Sequence, residues 1–80
     1  MIDEYKIIIA SDFEHEKVFA EIYKNGKFIA LVSQENGIDN LEIEFPDNSV
    51  DQSLILRKIN YDSFFNALIH SKLILKGKDK

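Results

Sequence analysis

The side chains able to do chemistry in this 80-residue sequence are fourteen carboxylates, two histidines and six serines; there is no cysteine. None of the serines (Ser11, Ser33, Ser49, Ser53, Ser63, Ser71) sits in a nucleophile elbow or a triad-like motif. Gly26, Gly37 and Gly77 are too dispersed to build a phosphate-cradling loop. His15 has an acid on either side, in Glu14-His15-Glu16, but adjacent loop residues rarely converge on one ion. No second histidine stands at ligand spacing, so His15 reads as a solvated loop residue and no metal site is expected. His70 falls off the apolar stripe of a predicted helix and reads as surface or boundary. The carboxylates remain. Glu42 and Glu44 alternate with Leu41, Ile43 and Phe45, which puts both acids on one face of a strand roughly 7 Å apart. Acids exposed in this way have no cause for a raised pKa, so they form an electrostatic face rather than an acid–base pair. The expectation is a binding protein, with no catalytic residue and no cofactor.

The elements that position these residues can be read from pattern. Residues 4–10 contain a short β-branched run, Ile7-Ile8-Ile9, and predict a first strand. Residues 17–24 and 27–34 flank Asn25-Gly26, the strongest local hairpin signal, because a type I′ turn needs positive φ at both central positions. Simple pairing from that turn sets Lys24 against Lys27, Tyr23 against Phe28 and Ile22 against Ile29. One hairpin face then carries Val18, Ala20, Ile22, Ile29 and Leu31. The other carries Phe19, Glu21, Tyr23, Phe28, Ala30 and Val32. Residues 40–45 form a fourth strand, with Leu41, Ile43 and Phe45 inward, ended by Pro46. Residues 54–59 predict a fifth strand, whose Arg57 and Lys58 suit an edge.

Asn60 is a good N-cap for a helix over 61–75. Tyr61, Phe64, Phe65, Leu68, Lys72 and Leu75 share one stripe, with Ile69 beside it. Gly77 stands where the helix should stop, and 76–80 reads as a frayed basic tail. The predicted fold is therefore α+β: a single domain (1–80) with an antiparallel sheet of about five strands and one C-terminal helix packed on its aliphatic face.

That arrangement leaves an unusual outer sheet face. Phe19, Tyr23 and Phe28 lie there beside Glu21, Glu42 and Glu44, where a monomer would be wet and polar. Aromatic anchors among charges fit a partner-binding surface, and these six residues are the candidate contacts. Cover by the N-terminal segment or the 47–53 loop is a competing reading, and so is a homodimer stacked sheet to sheet. Charge narrows the partner. Residues 1–51 hold twelve acids against four bases, while 52–80 hold six bases against two acids. An acidic face repels nucleic acid and anionic lipid and attracts a basic protein surface. No apolar run approaches the length of a membrane span, and the acidic start Met1-Ile2-Asp3-Glu4 is unlike a secretory signal, so a cytoplasmic location is expected.

The stretch Glu21-Ile22-Tyr23-Lys24-Asn25-Gly26-Lys27-Phe28-Ile29-Ala30-Leu31-Val32-Ser33-Gln34-Glu35, with Leu41-Glu42-Ile43-Glu44-Phe45-Pro46 and the strand and helix expected after it, resembles a group of short bacterial immunity proteins. Such proteins accompany polymorphic toxins, including contact-dependent growth inhibition systems, and the similarity covers about residues 17–75. It implies a cytoplasmic protein that binds a cognate toxin domain, often a nuclease with a basic cleft, and blocks it. The resemblance transfers no contact residues.

Overall fold

A computed structural model of the chain describes residues 5–47 and 51–78. Residue 4 of the predicted first strand, 48–50 of the 47–53 loop and 79–80 of the tail lie outside the described residues. Strands β1 (Lys6–Ala10), β2 (Phe19–Lys24), β3 (Lys27–Ser33) and β4 (Glu42–Glu44) form one antiparallel sheet in the order β1-β2-β3-β4. A short 3₁₀ turn, Gln52–Leu54, precedes helix α1 (Tyr61–Lys78). The helix packs mainly on β2, and also on β1 and β3, giving two layers.

The β2–β3 turn forms as its sequence demands, with Asn25 at φ 54° and Gly26 at φ 79°. Lys24 pairs with Lys27 and Tyr23 with Phe28, but Ile22 then pairs with Ala30 rather than Ile29. Ile29 is thus an additional residue in β3, a β-bulge that reverses face assignment beyond it. This corrects the simple register. Ala30 and Val32 move to the helix side, and Leu31 moves to the outer side opposite Glu21 and Glu44. The helix-facing layer is Ile7-Ile22-Ala30 in one row and Ile9-Ala20-Val32-Ile43 in the next. Ile29 stays buried, and with Ala20, Ile22, Ala30, Val32, Ala67 and Leu75 it forms the core.

The expected fifth strand does not form, so the count is four. β3 is already flanked by β2 along its length and by β4 at Leu31–Ser33, which leaves only its first residues open. The 54–59 segment uses that gap for a single parallel bridge, Ile55 to Phe28, with the Leu56 N–H donating to the Phe28 carbonyl at 2.9 Å.

The helix begins where its cap predicts: the Asn60 side chain accepts from the Ser63 N–H at 3.0 Å. It runs through Gly77 to Lys78, so 76–78 are helical rather than a frayed tail. Its buried face also differs from the predicted stripe. Ser63, Ala67, Ser71 and Leu75 face inward at i, i+4 spacing, and Phe64 and Leu68 are half-buried beside them. Small residues on α1 meet Ala20 and Ala30 on the sheet, and small side chains on both surfaces let the layers approach closely. Ser71 satisfies its buried hydroxyl on the Ala67 carbonyl at 2.8 Å. Tyr61 and Phe65, expected inward, are exposed. No helix among the described residues is long and apolar enough to cross a membrane.

Candidate functional site

On the side of the sheet away from α1, cross-strand pairing sets Ile8, Glu21, Leu31 and Glu44 in one row. Lys6, Tyr23 and Phe28 form a second. The turn holds Tyr23 and Phe28 together with ring centroids 5.5 Å apart at 58°. The Tyr23 hydroxyl donates to Glu21 Oε1 at 3.3 Å, and burial, with Glu21 beside it, raises the phenol above its ordinary pKa. Both rings are half-buried, and Leu54 from the 3₁₀ turn shares a shallow cleft with them. Phe19 is on this face too but is only 3% exposed, so it is a covered residue and not a contact.

His15 supplies the cover. Its ring lies 4.5 Å from the Phe19 ring and is clamped at both nitrogens. Nδ1–H donates to Asp12 Oδ1 at 2.7 Å, and Nε2–H donates to Glu44 Oε2 at 3.0 Å. The side chain is 7% exposed, which corrects the reading of His15 as solvated. The hydrogen bond from Glu44, then that from Asp12, push the imidazole from 6.5 up to about 9, against the smaller opposing effect of burial. The same contact with His15 leads the causes that hold the Asp12 carboxyl below its usual range. His15 is therefore an imidazolium at neutral pH, shared by two carboxylates.

The loop over residues 11–18 is pinned at further points. Asp12 Oδ1 accepts the backbone N–H groups of Glu14 at 3.0 Å and His15 at 2.9 Å, an Asx-type turn. Glu35 accepts those of Glu16 at 2.7 Å and Lys17 at 2.9 Å, and these bonds lower its pKa. At the tip of this fastened turn Phe13 is fully exposed. Phe45, expected inward at the end of a strand, is 68% exposed, because β4 ends at Glu44 and Pro46 turns the chain away. An open cleft of about 320 Å³ between the loop and β4 is lined by Asp12, Glu14, His15, Glu44, Phe45 and Asp47, among others.

Of the six residues predicted from sequence, the structure gathers Glu21, Tyr23 and Phe28 on the outer face. Glu42 and Glu44 stand exposed on β4, where Glu42 accepts from Asn36 Nδ2 at 3.1 Å. Glu44 is engaged by His15, and Phe19 lies beneath that ring. Sequence reasoning missed Phe13 and Phe45 as exposed aromatics beside the acidic cleft. The signal for Phe13 was a lone aromatic in an otherwise polar, acidic loop. His70 is exposed on α1, within 3.2 Å of the Tyr5 hydroxyl. No group of three or more potential metal ligands converges among the described residues.

No protein-family model matches this chain, and no curated protein or solved structure is significantly similar to it.

Proposed function

We propose that this chain is an immunity protein that binds and neutralises a cognate bacterial toxin domain, a nuclease being the best fit, in the cytoplasm. The observation that carries the reading is the open cleft that exposed Phe45 lines with Asp12, Glu14, Glu44 and Asp47, beside the loop on which Phe13 is fully exposed. Large aromatics at a surface are burial anchors for a partner, and surrounding carboxylates select a basic one. A nuclease cleft, built to hold phosphate, is such a surface. The loop carrying Phe13 is fastened in place beforehand through Asp12, His15 and Glu35, which lowers the ordering cost of docking. Tyr23, Phe28 and Glu21 continue the surface toward the hairpin turn. The same acidity disfavours nucleic acid as the ligand.

The resemblance of residues 17–75 to immunity proteins supports this reading from the sequence side. A homodimeric interaction module without a toxin partner is the second reading, favoured by the large apolar side chains exposed on the outer side of α1.

The test is a light-scattering mass of the chain alone and mixed with the product of the adjacent upstream gene. A stable heterocomplex is expected. Phe13→Ala should weaken it about 30-fold, the effect of losing an anchor of roughly 2 kcal/mol. Glu42→Gln should slow association and flatten its salt dependence, and Tyr23→Ala or Phe28→Ala should hasten dissociation. Absence of a complex with that product overturns the reading.

A further inference from the structure

The outer side of helix α1 mixes large apolar and charged side chains. The inner face packs on the sheet, yet Tyr61, Phe65, Ile69 and Leu73 recur at every fourth position and are all exposed, Tyr61 at 80% and Leu73 at 60%. At about 100° per residue these four drift across an arc of about 120° on the outer side. Asp62, Lys72 and Lys76 are exposed within the same arc, and Asn66 and His70 lie at its edge, where His70 meets Tyr5. Four large apolar side chains left exposed along one helix face mark a contact surface.

The sheet is incomplete in the matching place. Four strands spaced about 4.8 Å apart are wider than one helix of about 10 Å can cover. Because α1 sits over β2, an apolar cleft of about 370 Å³ stays open on the β4 side. Its walls include Ile38, Asp39, Leu41 and Ile43 from the sheet side and Leu68, Ile69 and Lys72 from the helix. Ile43 is 41% exposed there although its row continues the core.

We infer that a second copy of this chain fills the cleft, its α1 laid antiparallel beside the first, so that two helices form one layer between two sheets. Charge selects this occupant and this direction. Asp62 lies in the first turn of α1, and Lys72 and Lys76 lie toward its end. Antiparallel apposition brings Asp62 of each copy toward the lysines of the other, whereas parallel apposition would crowd the lysines together. A two-fold axis makes the contact self-complementary: each helix enters the other's cleft and buries its own outer stripe. The acidic outer faces of the two sheets then point away from each other and stay open. The inference does not rest on the immunity reading.

The test is sedimentation velocity across a concentration series for the full chain and for Ile69→Glu, Leu73→Glu and Phe13→Ala, with far-ultraviolet circular dichroism as the fold control. The wild type and Phe13→Ala should reach twice the 9.3 kDa chain mass. Ile69→Glu and Leu73→Glu should remain at 9.3 kDa with an unchanged spectrum, since both side chains are exposed within one copy. Lys72→Glu, a milder surface change, should weaken the dimer about tenfold. A wild type that stays monomeric at several hundred micromolar overturns the inference, as do helix variants that all remain dimeric. A monomer whose helix variants lose the toxin complex instead assigns this face to the toxin and equally overturns self-association.

Discussion

Raising the pH through the titration of His15 should unfasten the outer-face loop. The folded protein holds the imidazolium between Glu44 and Asp12 with a pKa of about 9, against 6.5 for an ordinary histidine. Below 6.5 the ring is charged in both folded and unfolded chains, and the stabilisation is fully present. Between 6.5 and 9 the unfolded chain gives up its proton while the folded one keeps it, so stability falls as pH rises. Above 9 the contribution is gone. At about 1.36 kcal/mol per pKa unit the ceiling is about 3 kcal/mol. Asp12 and Glu44 are 42% and 46% exposed, however, and solvent screening reduces the expected value to about 1–1.5 kcal/mol. For a domain of this size that is a fall in Tm of about 5–10 °C between pH 6.5 and 9.

Thermal melts at fixed ionic strength across that window measure it directly. His15→Gln should be less stable than wild type at pH 6.5 and nearly flat up to pH 9, so that the two curves converge. Glu44→Gln should remove the larger part of the slope and leave the part due to Asp12. A flat wild-type profile, or a His15→Gln profile as steep as the wild type, would refute the clamp. The loop that His15 holds also presents Phe13, so affinity for the proposed toxin partner should decline in the same window in which the fold loosens. A partner bound equally well at pH 6.5 and 9 would separate the clamp from recognition.

Ala67→Leu should destabilise the fold by about 1–3 kcal/mol in urea unfolding, because its Cβ is fully buried against the sheet and a longer side chain overpacks the interface. A neutral or stabilising result would mean that α1 buries a different face. Ser33→Ala should be neutral or stabilising by up to about 1 kcal/mol in the same assay, since the Ser33 hydroxyl is buried with no hydrogen-bond partner among the described residues. Gly26→Ala should cost about 1 kcal/mol from backbone strain at φ 79° alone, because none of the described residues lies within 4 Å of the added methyl group. Glu35→Gln should destabilise the protein at neutral pH and leave it unchanged in acid: its carboxyl has a depressed pKa in the fold, so its contribution is lost as pH falls through that value, and acid titration of the two melting curves would show the gap closing.

Turn chemistry and the helix cap were legible because each depends on one or two residues. Asn25-Gly26 can scarcely do anything else, and Asn60 stands just ahead of an apolar run. Faces were less legible. The alternation in β3 depends on parity, and the bulge at Ile29 shifts it by one residue. Phe28-Ile29-Ala30-Leu31-Val32 is apolar throughout, so neither register exposed an obvious error. The helix stripe failed for a related reason. Choosing the largest apolar residues favours Tyr61 and Phe65, but the sheet beneath carries Ala20 and Ala30, and close approach selects Ala67 and Ser71. The fifth strand failed on topology, since pairing capacity depends on which edges are already taken. Among the candidate site residues, Glu21, Tyr23 and Phe28 followed from the turn, whereas the covering of Phe19 depends on His15 reaching Glu44 across 29 residues of sequence. No local pattern carries that contact.

The two misread faces connect. If the large apolar residues of α1 had faced the sheet, the outside of the protein would be polar and only the acidic end would remain as a binding surface. Instead the small residues pack inward, and the surplus apolar side chains point out beside an uncovered strand. A thin two-layer domain of 80 residues buries only about 60% of its unfolded surface, so it has little stability to spare for idle apolar exposure. The molecule thus presents two chemically different surfaces on opposite sides of one sheet. On the proposed reading the acidic, aromatic surface would steer a basic partner, and the outer face of α1 would pair with a second copy of itself. Substitutions at Phe13 and at Ile69 should therefore act independently: the first on the heterocomplex, the second on self-association. Strong coupling between them in a double-mutant cycle would mean that both surfaces serve a single partner.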